Sequence, residues 1–107
     1  MKVSDFAEKN GLSILCLPDN REIDGCYIGD LLSWVMGRAE SGDAWVTIMQ
    51  NKNVLAVASL SDVSCVIFAE GVKPDAEIIT LAEEKGINLL SSEETAFLIA
   101  KRLSPLL

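Results

Sequence analysis

Polar and charged residues recur where the apolar segments of this sequence end. In an open α/β sheet the carboxyl ends of parallel strands share one edge, and the helices that follow turn their positive N-termini towards it. Such an edge favours an anionic ligand, to which Lys52 and Lys73 would add positive charge. The candidate ligand-binding residues at the predicted strand ends are Gly29, Asp30, Asn51, Lys52, Asn53, Glu70, Gly71, Lys73, Asp75, Ser91 and Ser92.

Two interpretations of these residues stay open. They could bind an adenine nucleotide or another small anion, or they could only cap helices and form ordinary loops. A nucleotide would be a ligand rather than a cofactor, and we expect no cofactor.

Catalytic chemistry has little support in the sequence. The chain contains no histidine, which removes the commonest general base and the commonest metal ligand. A Ser-His-Asp or Cys-His site is therefore impossible, and we expect no metal site. There is also no GxxxxGK[ST] loop, so a kinase activity is not supported. We expect a protein that is not an enzyme.

The three cysteines, Cys16, Cys26 and Cys65, lie far apart in apolar runs and form no CxxC pair. Buried free thiols in a reducing cytoplasm are the favoured interpretation. Cys16 follows a predicted strand, as a phosphocysteine would, but Pro18 rather than a Gly/Ser-rich anion loop comes next. A Mg²⁺-dependent phospho-acceptor site built from aspartates would need an Asp at the end of the middle strand, where this chain has Met49.

Length and charge limit the remaining possibilities. The 107 residues suffice for one domain, residues 1–107. The net charge of -7 argues against binding to nucleic acid or to anionic membranes. No signal peptide or apolar run of about 20 residues is visible, so we expect a cytoplasmic protein.

Residues 63–92 (VSCVIFAEGVKPDAEIITLAEEKGINLLSS) predict a strand, a helix and a second strand. Residues 64–69 are apolar enough for a strand buried on both faces. Asp75 is placed to cap the helix and Gly86 to end it in a left-handed conformation. Residues 87–90 form the second strand, which the short connections make parallel to the first.

The rest of the chain repeats this alternation of strands and helices. Strands are predicted over residues 12–17, 23–28 (weakened or bulged at Gly25) and 44–49. Helices are predicted over 5–10 with Ser4 as the cap, from Asp30 as N-cap to residue 39, over 54–60 with Asn53 as the cap, and from a Ser91/Glu94 capping box to residue 103. The fold class is therefore α/β, a three-layer sandwich with a mainly parallel sheet.

Two segments of the chain, DNREIDGCYIGDLLSWVM and GVKPDAEIITLAEEKGINLLSS, resemble the DRTGG domain family. The resemblance extends from about Phe6 to Leu103. It implies a regulatory or assembly-forming domain of the kind appended to phosphotransacetylases and to pyrophosphatases with CBS domains, related in fold to the N-terminal domain of HPr kinase/phosphorylase. The family's Thr-Gly-Gly and Asp-Arg loop is replaced here by residues 49–53, and its second Gly-Gly by Glu70-Gly71.

The favoured function is thus a stand-alone, non-catalytic regulatory module that acts through a partner protein and forms a homodimer. The alternative is a sensor of an adenine nucleotide or another anion. Trp34 lies off the main apolar face of its predicted helix and is the candidate interface residue. Burial of Trp34 within its own domain is the other interpretation, and Trp45 is expected to be covered.

Overall fold

A five-stranded sheet in the order β1-β5-β4-β3-β2 is the centre of the structure, a computed structural model that describes residues 1–107. Strands β2 to β5 are parallel, and β1 pairs antiparallel with β5 at one edge. The strands are β1 (Ser13–Cys16), β2 (Gly25–Ile28), β3 (Asp43–Thr47), β4 (Cys65–Phe68) and β5 (Leu89–Ser91). The helices are α1 (Val3–Asn10), α2 (Leu32–Arg38), α3 (Asn53–Ser61), α4 (Ala76–Lys85) and α5 (Ala96–Leu103), and a short 3-10 helix, Ser104–Leu106, follows α5.

Helices cover both faces of the sheet, which confirms the predicted three-layer α/β fold. The side chains of β3 and β4 alternate between two separate apolar clusters. On one face Val46 and Ile67 pack with Phe6 of α1 and Ile99 of α5. On the other face β3 and β4 pack against α2, α3 and α4 through Trp45, Val66, Phe68, Val35, Leu55 and Ala82. Burial on both sides explains why all of β4 and the central residues of β3 are apolar.

The unit β4–α4–β5 follows the sequence prediction closely. Val66 lies opposite Leu89 in the parallel pair. The Asp75 carboxylate accepts a hydrogen bond from the Ile78 N–H at 3.0 Å and caps α4. Gly86 ends the helix with a φ of 75°, a left-handed conformation that favours glycine.

Two predicted caps, Ser4 and Asn53, are wrong because other contacts set where these helices begin. Helix α1 starts at Val3, since Lys2 forms an isolated bridge with Glu22 that brings the chain straight into the helix. Ser4 therefore lies inside α1, where its Oγ accepts a hydrogen bond from Asn20 Nδ2. Asn53 is the first residue of α3, and the residue before it, Lys52, makes no side-chain cap.

The predicted capping box at Ser91 and Glu94 is also wrong. Ser91 is buried as the last residue of β5, in register with Phe68 of β4, and is not available to start a helix. The chain needs a further turn before α5, which is capped by Thr95 through a 3.3 Å hydrogen bond from the Leu98 N–H.

The predicted irregularity at Gly25 lies elsewhere. Strands β2 and β3 pair without a register shift, whereas β1 shifts between Ile14 and Cys16. Gly25 instead begins β2, close beneath the Asp43 carboxylate. None of the helices is both long enough and apolar enough to span a lipid bilayer.

Candidate functional site

The predicted strand-end residues follow the carboxyl ends of β2 to β5 and therefore share one edge of the sheet. Hydrogen bonds connect neighbouring strand ends along it. The Gly29 N–H donates to Val46 O, the Ala69 N–H to Thr47 O and the Ser92 N–H to Phe68 O. The topology thus places the four predicted segments in one row.

At the β2 end of this row, Asp30 has a different role from the predicted one. Its Oδ1 accepts hydrogen bonds from the Thr47 hydroxyl at 2.8 Å and from the Ile48 N–H at 2.9 Å. The prediction that Asp30 caps α2 is wrong, because Leu31 holds the N-cap position and makes no side-chain cap. The carboxylate instead connects the loop after β2 to the end of β3.

The buried side chain of Trp45 holds the same loop in place. Its indole Nε1 donates to the Gly29 carbonyl at 2.9 Å, and the side chain is fully buried, as expected. Thr47 is also buried, and its Oγ1 accepts from the Met49 N–H at 3.1 Å while donating to Asp30. Sequence reasoning missed Thr47, for which the available signal was a lone threonine within the apolar run of residues 44–49.

In the loop after β3, the first amide groups of α3 are already paired. The Asn51 side-chain oxygen accepts from the Asn53 N–H at 2.9 Å, and the Asn51 carbonyl accepts from the Val54 N–H. Lys52 and Lys73 are exposed, and neither forms an ion pair within the chain.

The loops after β4 and β5 are joined to each other. The Glu70 N–H donates to Glu94 O at 2.8 Å and the Gly71 N–H donates to Ser92 O at 2.9 Å. The Ser92 hydroxyl accepts from the Glu94 N–H at 3.0 Å. Gly71 has a φ of 76°, and the Glu93 carboxylate occupies the space that a side chain there would need. The N–H groups of Glu70 and Gly71 thus stabilise the loops themselves.

The main surface cavities lie away from this row. Their volumes are about 410–480 Å³, and none is lined by a candidate ligand-binding residue. One of them, of about 480 Å³, runs along β2 and the C-terminal helices. Its lining residues are Cys26, Tyr27, Ile28, Ala100, Ser104 and Leu107.

Helix α2 presents apolar side chains to solvent on both sides of its single buried residue, Val35. Leu31, Trp34 and Met36 are 58%, 53% and 53% exposed. The Arg38 guanidinium carbon lies 3.9 Å from the centre of the Trp34 ring, a cation–π contact. We call Leu31, Trp34 and Arg38, which are three and four residues apart and therefore share one side of the helix, the Trp34 surface. Of the two interpretations of Trp34, the exposed one is confirmed.

The cysteines are poor nucleophiles in this environment. All three are free, and Cys16 and Cys65 are buried. Burial raises the pKa of Cys16, that of Cys26 to about 11 and that of Cys65 to about 12. A reactive thiolate needs the opposite shift. No cluster of three or more potential metal-ligating side chains forms.

Comparison with known proteins identifies the family. The model of the DRTGG domain family matches residues 19–106. The chain belongs to this family. No curated protein matches this DRTGG domain.

A solved structure shares the fold. It is the crystal structure of the CBS and DRTGG domains of the regulatory region of Clostridium perfringens pyrophosphatase complexed with its activator, diadenosine tetraphosphate. The two are similar with a TM-score of 0.76 at 15% sequence identity over 94% of this chain. This chain spans 45% of that one.

Proposed function

We propose that this DRTGG domain is a non-catalytic regulatory module that forms a homodimer and acts through a partner protein in the cytoplasm. The exposed Trp34 surface carries the proposal. Tryptophan and arginine are enriched at the energetic centres of protein interfaces, and large apolar side chains that stay half exposed on a helix favour a contact surface. The stacked Arg38 holds the indole in place before a partner binds, which lowers the entropy lost on association.

Two further observations support a role without catalysis. The similar pyrophosphatase structure is described as a regulatory region, and the raised thiol pKa values remove the strongest nucleophile candidates. The polar groups at the strand ends are also largely paired with one another.

Sedimentation analysis of the wild type, Trp34→Ala and Phe97→Ala tests the dimer. Phe97 is a matched control because it is also a large exposed aromatic residue, 71% accessible, on α5 rather than α2. We expect a wild-type dimer that Trp34→Ala weakens by about 30-fold, the effect of losing about 1 kcal/mol from each of the two copies of the residue at a symmetric interface. Phe97→Ala should leave the dimer unchanged. A monomeric wild type, or equal loss in both variants, contradicts the proposal.

A nucleotide sensor is the second candidate function. The activator bound in the pyrophosphatase regulatory region favours it, as do the exposed Lys52 and Lys73 at the shared edge. The candidate residues for this role are the predicted ligand-binding residues at the strand ends. The paired amide groups near Asn53, Glu70 and Gly71 leave fewer free donors for a phosphate.

Thermal unfolding with ATP, AMP and diadenosine tetraphosphate distinguishes the two functions. A ligand present at about 100 times its Kd adds about 2.7 kcal/mol to the free energy of unfolding. A shift that Lys52→Ala or Lys73→Ala abolishes, and that Lys85→Ala on the far end of α4 retains, supports the sensor. No shift with any of the three nucleotides contradicts it.

A further inference from the structure

The free edge of β2 forms one wall of an apolar groove whose other wall is α5 and the 3-10 helix. β2 pairs with β3 on one side only and is the last strand of the sheet. Cys26 and Ile28 of the strand face Ala100, Ser104 and Leu107 across a cavity of about 480 Å³. Ile28 is 48% exposed and Leu107 is 54% exposed.

Backbone groups of β2 are also free to form hydrogen bonds at this edge. The Gly29 N–H donates to Val46 O, so Gly29 turns its amide towards β3. Alternate residues of a strand turn their backbone groups to the same side, and therefore those of Cys26 and Ile28 point away from the sheet. Edge strands are normally protected by a charge, a proline or a bulge. Residues Gly25–Ile28 (GCYI) contain no charge or proline, and their pairing has no register shift.

We propose that this groove binds an extended segment of a partner protein, which adds to the sheet as a strand beside β2. A free strand edge next to a helix satisfies both requirements of strand addition. The edge supplies main-chain hydrogen bonds, and the groove receives every second side chain of the added segment. Since the groove is lined mainly by apolar residues, those side chains are apolar.

The charges around the groove indicate which residues flank the apolar part of the bound segment. Asp24 precedes β2, Asp30 follows it, and the Asp43 carboxylate lies against Gly25. Asp43 lies on β3, one strand spacing or roughly 5 Å from the free edge, which is within the Debye length. The positive groups nearby are Lys101 of α5 and the N-terminal amino group, which is already paired with the Glu22 carboxylate at 2.8 Å. A segment with Lys or Arg at its ends therefore fits best, and the net charge of -7 attracts it.

A second copy of the chain fits the edge less well. Antiparallel pairing of two β2 strands would place Asp24 of one copy beside Asp30 of the other, and like charges at such positions are unfavourable. The proposal rests on the proposed role as a protein-interaction module, but it uses a surface separate from the Trp34 surface.

Fluorescence anisotropy with labelled synthetic peptides tests the proposal. The probe peptide has a Val-Thr-Val-Thr-Val centre with lysines at both ends. One comparison peptide has glutamates at the ends, and another has N-methylated valines that cannot donate main-chain hydrogen bonds. We expect saturable binding of the lysine peptide, on the order of tenfold tighter than the glutamate peptide. The N-methylated peptide should lose binding.

Variants of the protein locate the site. Ile28→Pro removes the outward N–H of β2, and proline is tolerated on an edge strand where that group faces solvent. Ala100→Phe fills the groove without altering the strand backbone. Both should reduce peptide affinity by about tenfold or more, which corresponds to a single lost main-chain contact or filled pocket. Ile48→Ala is the matched control, because Ile48 is 46% exposed and lies outside the groove.

Several outcomes would overturn the proposal. These are no saturable binding of the lysine peptide, equal binding of the N-methylated peptide, or binding that neither groove variant reduces. If Ile28→Pro converts a dimer to a monomer, a second copy occupies the edge instead. A dimer that remains sensitive to Trp34→Ala while no peptide binds would remove the strand-addition site and leave the proposed function standing.

Discussion

The loops after β4 and β5 differ from the region of β2 and α2 in how their polar groups are paired and their apolar side chains are covered. At the β4 and β5 ends, the loops after the strands hydrogen bond to each other through Glu70, Gly71 and Ser92. At the β2 side, the strand edge is unpaired and large apolar side chains of β2 and α2 stay exposed. Loops whose N–H groups bond to each other stabilise the fold, whereas an uncovered apolar edge favours binding to another chain. The contact function of this domain is therefore expected on the β2 and α2 side.

Alanine variants of the two tryptophans should show the largest difference in the free energy of unfolding between the two regions. Trp45→Ala removes a fully buried ring and its hydrogen bond to the Gly29 carbonyl, and should lower the free energy of unfolding by about 3–5 kcal/mol. Trp34→Ala removes an exposed ring and its contact with Arg38, and should change that free energy by less than about 1 kcal/mol. Urea unfolding of both variants measures the difference. Similar losses would show that Trp34 serves the fold rather than a contact.

Thr47 should show the next largest effect. Thr47→Val keeps the shape of the side chain but removes the hydroxyl that donates to Asp30 and accepts from the Met49 N–H. The buried groups left unpaired should cost about 1–3 kcal/mol in the free energy of unfolding. Thr80→Val on the exposed face of α4 is the control and should stay within about 0.5 kcal/mol. A neutral Thr47→Val would mean that the loop after β2 is held by Trp45 alone.

Variants of Gly71 distinguish the energetic cost of backbone strain from that of steric crowding at the joined loops. Gly71→Ala should cost about 1–2 kcal/mol because its φ of 76° is unfavourable for alanine, with a further loss from contact with the Glu93 carboxylate. Gly11 has a similar φ of 70° with open space around it, so Gly11→Ala measures the strain alone. In a Glu93→Ala background, the cost of Gly71→Ala should fall to that of Gly11→Ala. If it does not, the joined loops resist the added methyl group through the backbone instead.

Sequence reasoning succeeded where the signal is local. Asp75 and Gly86 border an amphipathic segment, and they begin and end the helix as predicted because capping depends on a few neighbouring residues. It failed where contacts with a strand distant in the sequence determine the role of a residue. Asp30 and Ser91 have the residue types of caps, but pairing with Thr47 and with Phe68 gives them other roles. The free edge of β2 follows from the strand order, which local periodicity does not encode.

Acid unfolding provides the smallest and most local test of the joined loops. Glu94 connects them to α5, because its carbonyl accepts from the Glu70 N–H and its carboxylate accepts from Arg102 at 2.6 and 2.7 Å. The hydrogen bond from Arg102 lowers the pKa of Glu94 below its ordinary value of 4.5. A carboxyl group whose pKa is lower in the folded state stabilises the protein above its unfolded pKa, and this contribution is lost as the pH falls through the folded pKa.

Glu94→Gln should therefore lower the urea midpoint slightly at pH 7 and make no difference in strong acid, where wild-type Glu94 is protonated. Since the pair lies at the surface, added salt should reduce the difference at pH 7. Glu93→Gln makes the same change of charge one residue away, outside the contact with Arg102, and serves as the control. An equal effect of both variants would assign the loss to general charge, and the joined loops would then depend on their backbone hydrogen bonds alone.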